Sequence, residues 1–205
     1  GNPLRKQSAK HIHNYFFLKG LDAVRDGGIV AFITSQGVLN SEASSSTRFM
    51  MMKQADLVSA IRLPNNLFVN EANTEVGSDL IILQKNERKE QLSEEDKIFT
   101  QTTVQDGIGI NRYLSQHPER IVHTSRKVDT DPYGKPALVY QHEGGVSGIA
   151  DDLRNMLGED FRNRLDMERY VSATVQVVKS EPIKMESPKV ETPKETQQPI
   201  VEQPK

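Results

Sequence analysis

Residues 27–40 have the sequence GGIVAFITSQGVLN, in which two glycines precede an unbroken apolar run from Ile29 to Ile33. This run is rich in β-branched residues and too short for a buried helix. It therefore predicts a strand covered on both faces, as in the centre of a parallel sheet. The run ends in small polar residues at 34–37. Because ligands in open α/β sheets lie beyond the carboxyl ends of the strands, we expect residues 34–40 to lie near the functional site of an α/β domain.

Around this strand, the hydrophobic pattern predicts the order helix, strand, helix, strand, strand. A first helix is expected over residues 3–26, with Asn2 as its N-cap and Pro3 in its first turn. A second helix is expected after the serines at 44–46. Two further strands, at 57–61 and 76–85, are separated only by a loop, so they are expected to pair antiparallel.

Composition excludes several classes of protein. The 205 residues carry a formal net charge of -2, which gives no global basic field for nucleic acid. This does not exclude DNA binding, because a local patch or a partner domain could supply the positive charge. The chain has no cysteine, so disulfides, thiolate metal sites and cysteine nucleophiles are excluded. In the absence of a disulfide framework, the cytoplasm is the expected compartment. No apolar run approaches the roughly 18 residues of a membrane span, so no membrane partner is expected.

The chain divides by composition into four segments. Residues 1–86 carry the α/β pattern, and residues 87–100 form a charged run that is typical of a solvated connector. Residues 101–171 predict a small α-rich accessory region, with a short helix ending near Pro118 and an amphipathic helix over 146–170. Residues 172–205 are rich in proline and charge and contain no aromatic residue. They predict a disordered linker.

Three local motifs point only weakly to chemistry. His11 and His13 lie two apart on a helix and face different directions, so no metal site is predicted. The glycines of Gly107-Ile108-Gly109 do not follow a buried strand, and they favour a turn over a cofactor loop. Phe68 follows the second strand. From pattern alone it could stack on a planar ligand or cover the edge of the core.

Four segments resemble the downstream half of N6-adenine DNA methyltransferases. They are residues 13–22 (HNYFFLKGLD), 27–37 (GGIVAFITSQG), 60–68 (AIRLPNNLF) and 74–85 (TEVGSDLIILQK). The likeness covers residues 5–86. It is strongest to the methylase–helicase fusions of mobile elements and weaker to the methylase subunits of type I restriction-modification systems. The family fold that this resemblance implies is a Rossmann-like sheet with an antiparallel last strand pair.

The resemblance also implies a reaction and a set of site residues. The family transfers a methyl group from S-adenosylmethionine to N6 of an adenine flipped out of DNA. An Asn/Asp-Pro-Pro-aromatic signature holds the amine, and a second aromatic covers the other face of the base. The resemblance assigns this second role to Phe68, with Thr74 and Glu75 shaping its loop. The residues that it places along the substrate crevice are Thr34, Ser35, Gln36 and Gly37.

The departures from the family pattern are as informative as the matches. No Pro-Pro pair occurs in the chain, and Asn2-Pro3-Leu4 lies directly on the first helix, unlike the family signature. The family's glycine-rich cofactor loop would lie further upstream. The resemblance therefore implies the target-base side of the enzyme, inactive alone, without catalytic or cofactor-binding residues of its own.

Two partners besides DNA follow from the resemblance: the missing upstream half of the methylase, and a helicase domain beyond the linker. The alternative is a non-catalytic DNA- or protein-binding module derived from a methylase.

Overall fold

A three-stranded antiparallel sheet forms the centre of the computed structural model, which describes residues 12–69, 73–131 and 134–178. Its strands are β1 (Ile29–Ser35), β2 (Ala55–Leu63) and β3 (Ser78–Lys85), in the spatial order β1-β3-β2. The antiparallel pairing predicted for the last two strands is confirmed. Because β3 runs opposite to both neighbours, the carboxyl ends of β1 and β2 meet at one edge of the sheet, beside the start of β3.

The expectation that β1 lies in the centre of a parallel sheet is wrong for the described chain. Among the described residues β1 pairs only with β3, and the pairing is antiparallel. Val30 and Thr34 are buried, whereas Ile33 is 57% exposed. A short apolar run has the same composition in a central strand and in an edge strand, so its pattern could not distinguish the two.

Helices cover both faces of β2, so that alternate residues of this strand enter different hydrophobic clusters. Ala60 belongs to the larger cluster and Ile61 to the smaller one. The larger cluster receives apolar side chains from α1 (Ile12–Ala23), α2 (Gly37–Asn40), α3 (Ser45–Met52), α4 (Glu94–Thr100) and α5 (Arg112–Gln116). The smaller cluster lies under α6 (Gly145–Asn163). The sheet is therefore the middle layer of three, which is a mixed α/β arrangement.

The first two predicted helices are confirmed within the described residues, as α1 and α3. In α1, Phe17, Leu18 and Leu21 are buried, as expected from their helical spacing. The predicted caps at Asn2 and Pro3 lie outside the described residues. The short helix α2 was not predicted, and it brings Val38 and Leu39 into the larger cluster directly after β1.

The interpretation of residues 87–100 as a solvated connector fits the exposed residues 87, 88, 90 and 91, but it is incorrect for α4, which packs against α3 and α5. Ser93 and Asp96 form a capping box at the start of α4, and Phe99 in this helix is fully buried. Lys89 is nearly buried, and its Nζ lies 2.8 Å from Asp96 and 3.2 Å from Asp56. Lys89 forms ion pairs with Asp56 and Asp96, so the charged residues of this segment did not by themselves indicate that it is exposed.

The accessory region contains two β-hairpins that the sequence analysis did not predict. They are β4 (Thr102–Gln105) with β5 (Ile108–Asn111), and β6 (Ser125–Thr130) with β7 (Pro136–Gln141). Asp106 and Gly107 have φ of 53° and 76° and form the tight turn of the first hairpin. The preference for a turn at Gly107 over a cofactor loop is thereby confirmed. The predicted short helix ending near Pro118 is confirmed as α5. The amphipathic helix predicted over 146–170 is confirmed as α6 only as far as Asn163, and a separate helix begins at Met167.

The last described element, α7 (Met167–Val178), crosses the point at which a linker was predicted to begin. The side chain of Gln84 bonds to both the N–H and the C=O of Asp166, each at 2.9 Å, and ties the start of this helix to β3. The change in composition had placed the start of the linker at residue 172. The first proline of that segment is Pro182, so no proline interrupts a helix before that position. Residues 179–205 lie outside the described residues. No helix in the described part of the chain is long and apolar enough to cross a membrane.

Candidate functional site

A cavity of about 530 Å³ lies where β1 ends. Ser35, Gln36 and Gly37 form one wall, and Val76 and Gly77 lie beside them at the start of β3. The opposite wall comes from the β6–β7 hairpin, through residues 135–138. The structure therefore has a crevice beyond the carboxyl end of β1, at the place expected for ligands in an α/β sheet.

Close packing between Gln36 and Gly77 shapes the floor of this cavity. The N–H of Gln36 donates to the carbonyl of Gly77 at 3.0 Å, and the Gln36 side chain lies against the glycine. A Cβ at position 77 would lie 2.5 Å from Cδ of Gln36, so any larger residue would displace that side chain. Glycine at this position lets Gln36 lie flat beside the cavity.

A buried ion pair between β2 and β3 holds residues that line this cavity. Arg62 on β2 and Asp79 on β3 are opposite in register and fully buried, with Nε 2.5 Å from Oδ1 and Nη2 3.3 Å from Oδ2. Burial raises the pKa of Asp79, and the guanidinium of Arg62 opposes this rise. The same guanidinium donates to Oδ1 of Asn40 at 3.0 Å and to Oε1 of Gln36 at 3.4 Å. The ion pair therefore fixes two residues that line the cavity.

The side-chain amide oxygen of Asn40 is hydrogen-bonded, whereas its amide nitrogen is available to a ligand. Its Oδ1 accepts from Arg62 and also from the N–H of Asn111 at 3.1 Å. Its Nδ2 has no hydrogen-bond partner among the described residues, so this group is a donor available to a ligand in the cavity. Asn111, by contrast, donates from its amide to two backbone carbonyls and accepts from a backbone N–H, and it is committed to the fold.

Thr34 lies apart from the other three crevice residues. It lines a second cavity of about 290 Å³, together with His13, Phe16 and Ile33, beside the outer edge of β1. Thr34 is buried, and its hydroxyl has no hydrogen-bond partner in the described part of the chain. Phe16 and Ile33 are both more than half exposed. The structure thus divides the predicted crevice residues between the larger cavity and the apolar surface beside β1.

Phe68 lies on the surface side of the same end of the sheet. It is half-buried in a 3₁₀ turn, Asn65–Phe68, which follows β2 directly. Thr74 is half-buried and Glu75 is exposed. Neither Phe68 nor Thr74 lines the 530 Å³ cavity. The loop between them includes residues 70–72, which lie outside the described residues.

Sequence analysis missed two asparagines that precede Phe68. Oδ1 of Asn65 accepts from the N–H of Tyr140 at 3.0 Å. The amide of Asn66 bonds to both the N–H and the C=O of His142, each at 3.1 Å. The only signal for them was two adjacent polar residues directly after a buried strand, which is not specific enough to predict this contact.

The described residues do not supply a glycine loop for S-adenosylmethionine. Gly107 and Gly109 belong to a hairpin. Gly144 and Gly148 follow β7 and open α6, but the ring of His142 fills their space: a Cβ at Gly148 would lie 2.5 Å from its Cε1. No group of three or more possible metal-ligating residues occurs in the described ranges.

The model of the N-6 DNA methylase family matches residues 3–137, which is more than half of the chain. No curated protein and no solved structure matches. The match includes the sheet, Phe68 and the β4–β5 hairpin, and it ends at the start of β7. From this match, the chain belongs to the N-6 DNA methylase family.

Proposed function

We propose that this chain is the target-base side of an S-adenosylmethionine-dependent adenine-N6 DNA methyltransferase. In this proposal the cofactor loop and the Asn-Pro-Pro-aromatic signature belong to an upstream half, and the chain is inactive without it. The observation that carries the proposal is the outer edge of β1, which pairs with no strand among the described residues and adjoins the crevice at residues 35–37.

The surroundings of that edge support the pairing of a further strand. Phe16 and Ile33 are exposed apolar residues that line the 290 Å³ cavity beside β1. Exposed strand edges are places where another strand adds to a sheet, and contiguous exposed apolar residues are typical of interaction sites. A strand of the upstream half that paired with β1 would cover Ile33 and bring its own carboxyl end next to Thr34.

Each site residue has a role in this proposal. Phe68 stacks on one face of the extruded adenine, a contact of about 1–3 kcal/mol per base. Ser35, Gln36 and Gly37 line the crevice near the substrate, with Thr34 at the junction between the two halves. Thr74 and Glu75 shape the loop that holds Phe68. Proton transfer and amine binding are assigned to the upstream half.

The proposal also covers the substrate, the cofactor, a neighbouring domain and the compartment. DNA is the substrate that the family implies, and S-adenosylmethionine would bind to the upstream half rather than to this chain. The resemblance to methylase–helicase fusions suggests a helicase domain beyond residue 205 and a role in a mobile element or a restriction-modification system. The cytoplasm is the compartment proposed for this reaction.

Reconstitution tests the proposal directly. The chain is mixed with the polypeptide encoded immediately upstream, and transfer of labelled methyl groups from S-adenosylmethionine to adenine in DNA is measured. We expect activity from the mixture and none from either part alone. Phe68→Ala should lower kcat/KM about tenfold or more, because it removes the stacking contact.

Two outcomes would contradict the proposal. Absence of methyl transfer from a mixture in which both parts are folded and associated would favour the non-catalytic module, and DNA or protein binding would then identify its role. Activity of this chain alone would show that it contains a complete active site.

A further inference from the structure

The turn that carries Phe68 is held by the accessory region rather than by the sheet alone. Asn65 and Asn66 reach the edge of β7 that does not pair with β6, and together they form three hydrogen bonds to its backbone and to His142 directly after it. Tyr140 and His142 are two residues apart, and their N–H groups point to the same side of the strand. The two asparagine side chains thus occupy the place that a third strand would take. We call this contact the asparagine clamp.

The clamp is anchored on the β7 side. The imidazole of His142 accepts from the N–H of Gly144 at Nδ1, at 3.1 Å, and its Nε2 lies 3.2 Å from the carboxylate of Asp152 on α6. The ring packs against Gly148 at the start of the same helix. The backbone group that Asn66 holds is therefore itself fixed to a 19-residue helix.

Phe68 follows the clamp by only two residues within one 3₁₀ turn. The N–H of Leu67 donates to the carbonyl of Pro64 at 3.1 Å, and the Leu67 side chain packs against the smaller hydrophobic cluster. With Asn66 bonded at both ends of its amide, little freedom remains for the backbone that carries the aromatic ring. Asn65 is buried, so its lost hydrogen bond could not easily be replaced by water.

We propose that Asn65 and Asn66 are positioning residues that hold Phe68 in place for the target base, and that residues 136–142 thereby belong to the base-binding site. The inference rests on the proposed function for its base-stacking part only. It assigns a role to the accessory region, because the β6–β7 hairpin would fix the position of the Phe68 ring. A ring held in advance loses less conformational entropy when the base arrives.

The sequence offers a clean reporter for this arrangement, since the chain contains no tryptophan. Phe68→Trp introduces a single indole at the proposed stacking position of the full chain. Two quantities are then measured: the quenching of that indole by acrylamide, and its quenching by a single-stranded oligonucleotide that contains adenine. Asn65→Ala or Asn66→Ala is added in the same background.

Asn86→Ala is the matched control. Asn86 is half-buried like Asn66, and its side chain also makes two hydrogen bonds, to Asp56 and to the N–H of Arg88. It follows the other end of β3, about 24 Å from the site for a strand of eight residues. A merely structural role for Asn66 would make the two alanine variants behave alike.

We expect Asn66→Ala to make the indole more accessible to acrylamide and to raise the Kd for the oligonucleotide about fivefold. The effect of Asn65→Ala should be smaller, because it removes one hydrogen bond to the β7 side rather than two. Asn86→Ala should leave both quantities unchanged, even if its urea midpoint falls by a similar amount. Unchanged acrylamide quenching in Asn66→Ala, or equal changes in Asn86→Ala, would overturn the inference. If the oligonucleotide fails to quench the indole in the Phe68→Trp chain, the base contact of the proposed function is wrong. The acrylamide measurement still tests whether Asn65 and Asn66 hold position 68 in place, because it does not depend on base binding.

Discussion

Replacing Arg62 by methionine should destabilise the fold in a pH-dependent way. The substitution keeps most of the side-chain volume but removes a guanidinium that is fully buried against Asp79. Asp79 would lose contacts of 2.5 and 3.3 Å and remain without a counter-charge, while Gln36 and Asn40 lose a donor. Removing one partner of such a pair costs about 3–5 kcal/mol. That is a large part of the 5–15 kcal/mol typical of a domain.

The pH dependence follows from the pKa of Asp79. In the wild-type chain burial raises the pKa of Asp79, and the two guanidinium contacts from Arg62 oppose this rise. Without them, burial alone acts, and it raises the pKa in the folded state above the ordinary value of 3.8. The folded variant then binds a proton that the unfolded chain has released. Its free energy of unfolding should therefore fall as pH rises above 3.8, by up to about 1.4 kcal/mol per pH unit.

Urea unfolding followed by far-UV circular dichroism measures this effect at pH 5 and pH 7.5. We expect Arg62→Met to lose less stability relative to wild type at pH 5 than at pH 7.5. The double variant Arg62→Met with Asp79→Leu should recover much of the loss and show no such pH difference, because no charge is left buried. A loss below about 1 kcal/mol, or an equal loss at both pH values, would refute the reasoning.

Three further substitutions have defined outcomes. Gly77→Ala would displace the flexible end of the Gln36 side chain, so it should weaken oligonucleotide binding and cost about 1 kcal/mol or less in urea unfolding. Ile33→Lys should abolish association with the upstream half in a calorimetric titration. Its effect on stability should stay within about 0.5 kcal/mol, because Ile33 is exposed. Arg48 is fully buried, donates to three backbone carbonyls, and has a pKa lowered by burial to about 10, so it is charged at neutral pH. Arg48→Met should cost about 3 kcal/mol by the same urea measurement.

The parts of the fold that sequence predicted are those set by local pattern. Helical spacing in α1 and the loop-separated strands β2 and β3 were sufficient for the α/β class and for the antiparallel pair. The environment of β1 was not predictable, because the same apolar run suits a strand with one or two neighbours. The packing of helix α4 was not evident from its charged sequence, because the partner of Glu95 is Arg164, 69 residues away.

The candidate site shows the same division between local and distant information. Residues 35–37 were predicted to line a crevice from their place after a strand, and they line the larger cavity. The partner of Arg62 lies 17 residues away, and the partners of Asn65 and Asn66 lie 75 and 76 residues away. No periodicity links residues at such separations, and only the folded arrangement brings them together.

The outer edge of β1 also bears on how such a chain must be produced. An exposed strand with a protruding isoleucine is a template for any compatible strand, including the same strand of a second molecule. If this chain is one half of an enzyme, as proposed above, its synthesis in excess over the upstream half would therefore favour self-association and loss of the surplus. Matched supply of the two halves, by a shared transcript or a continuous reading frame, would keep this surface covered.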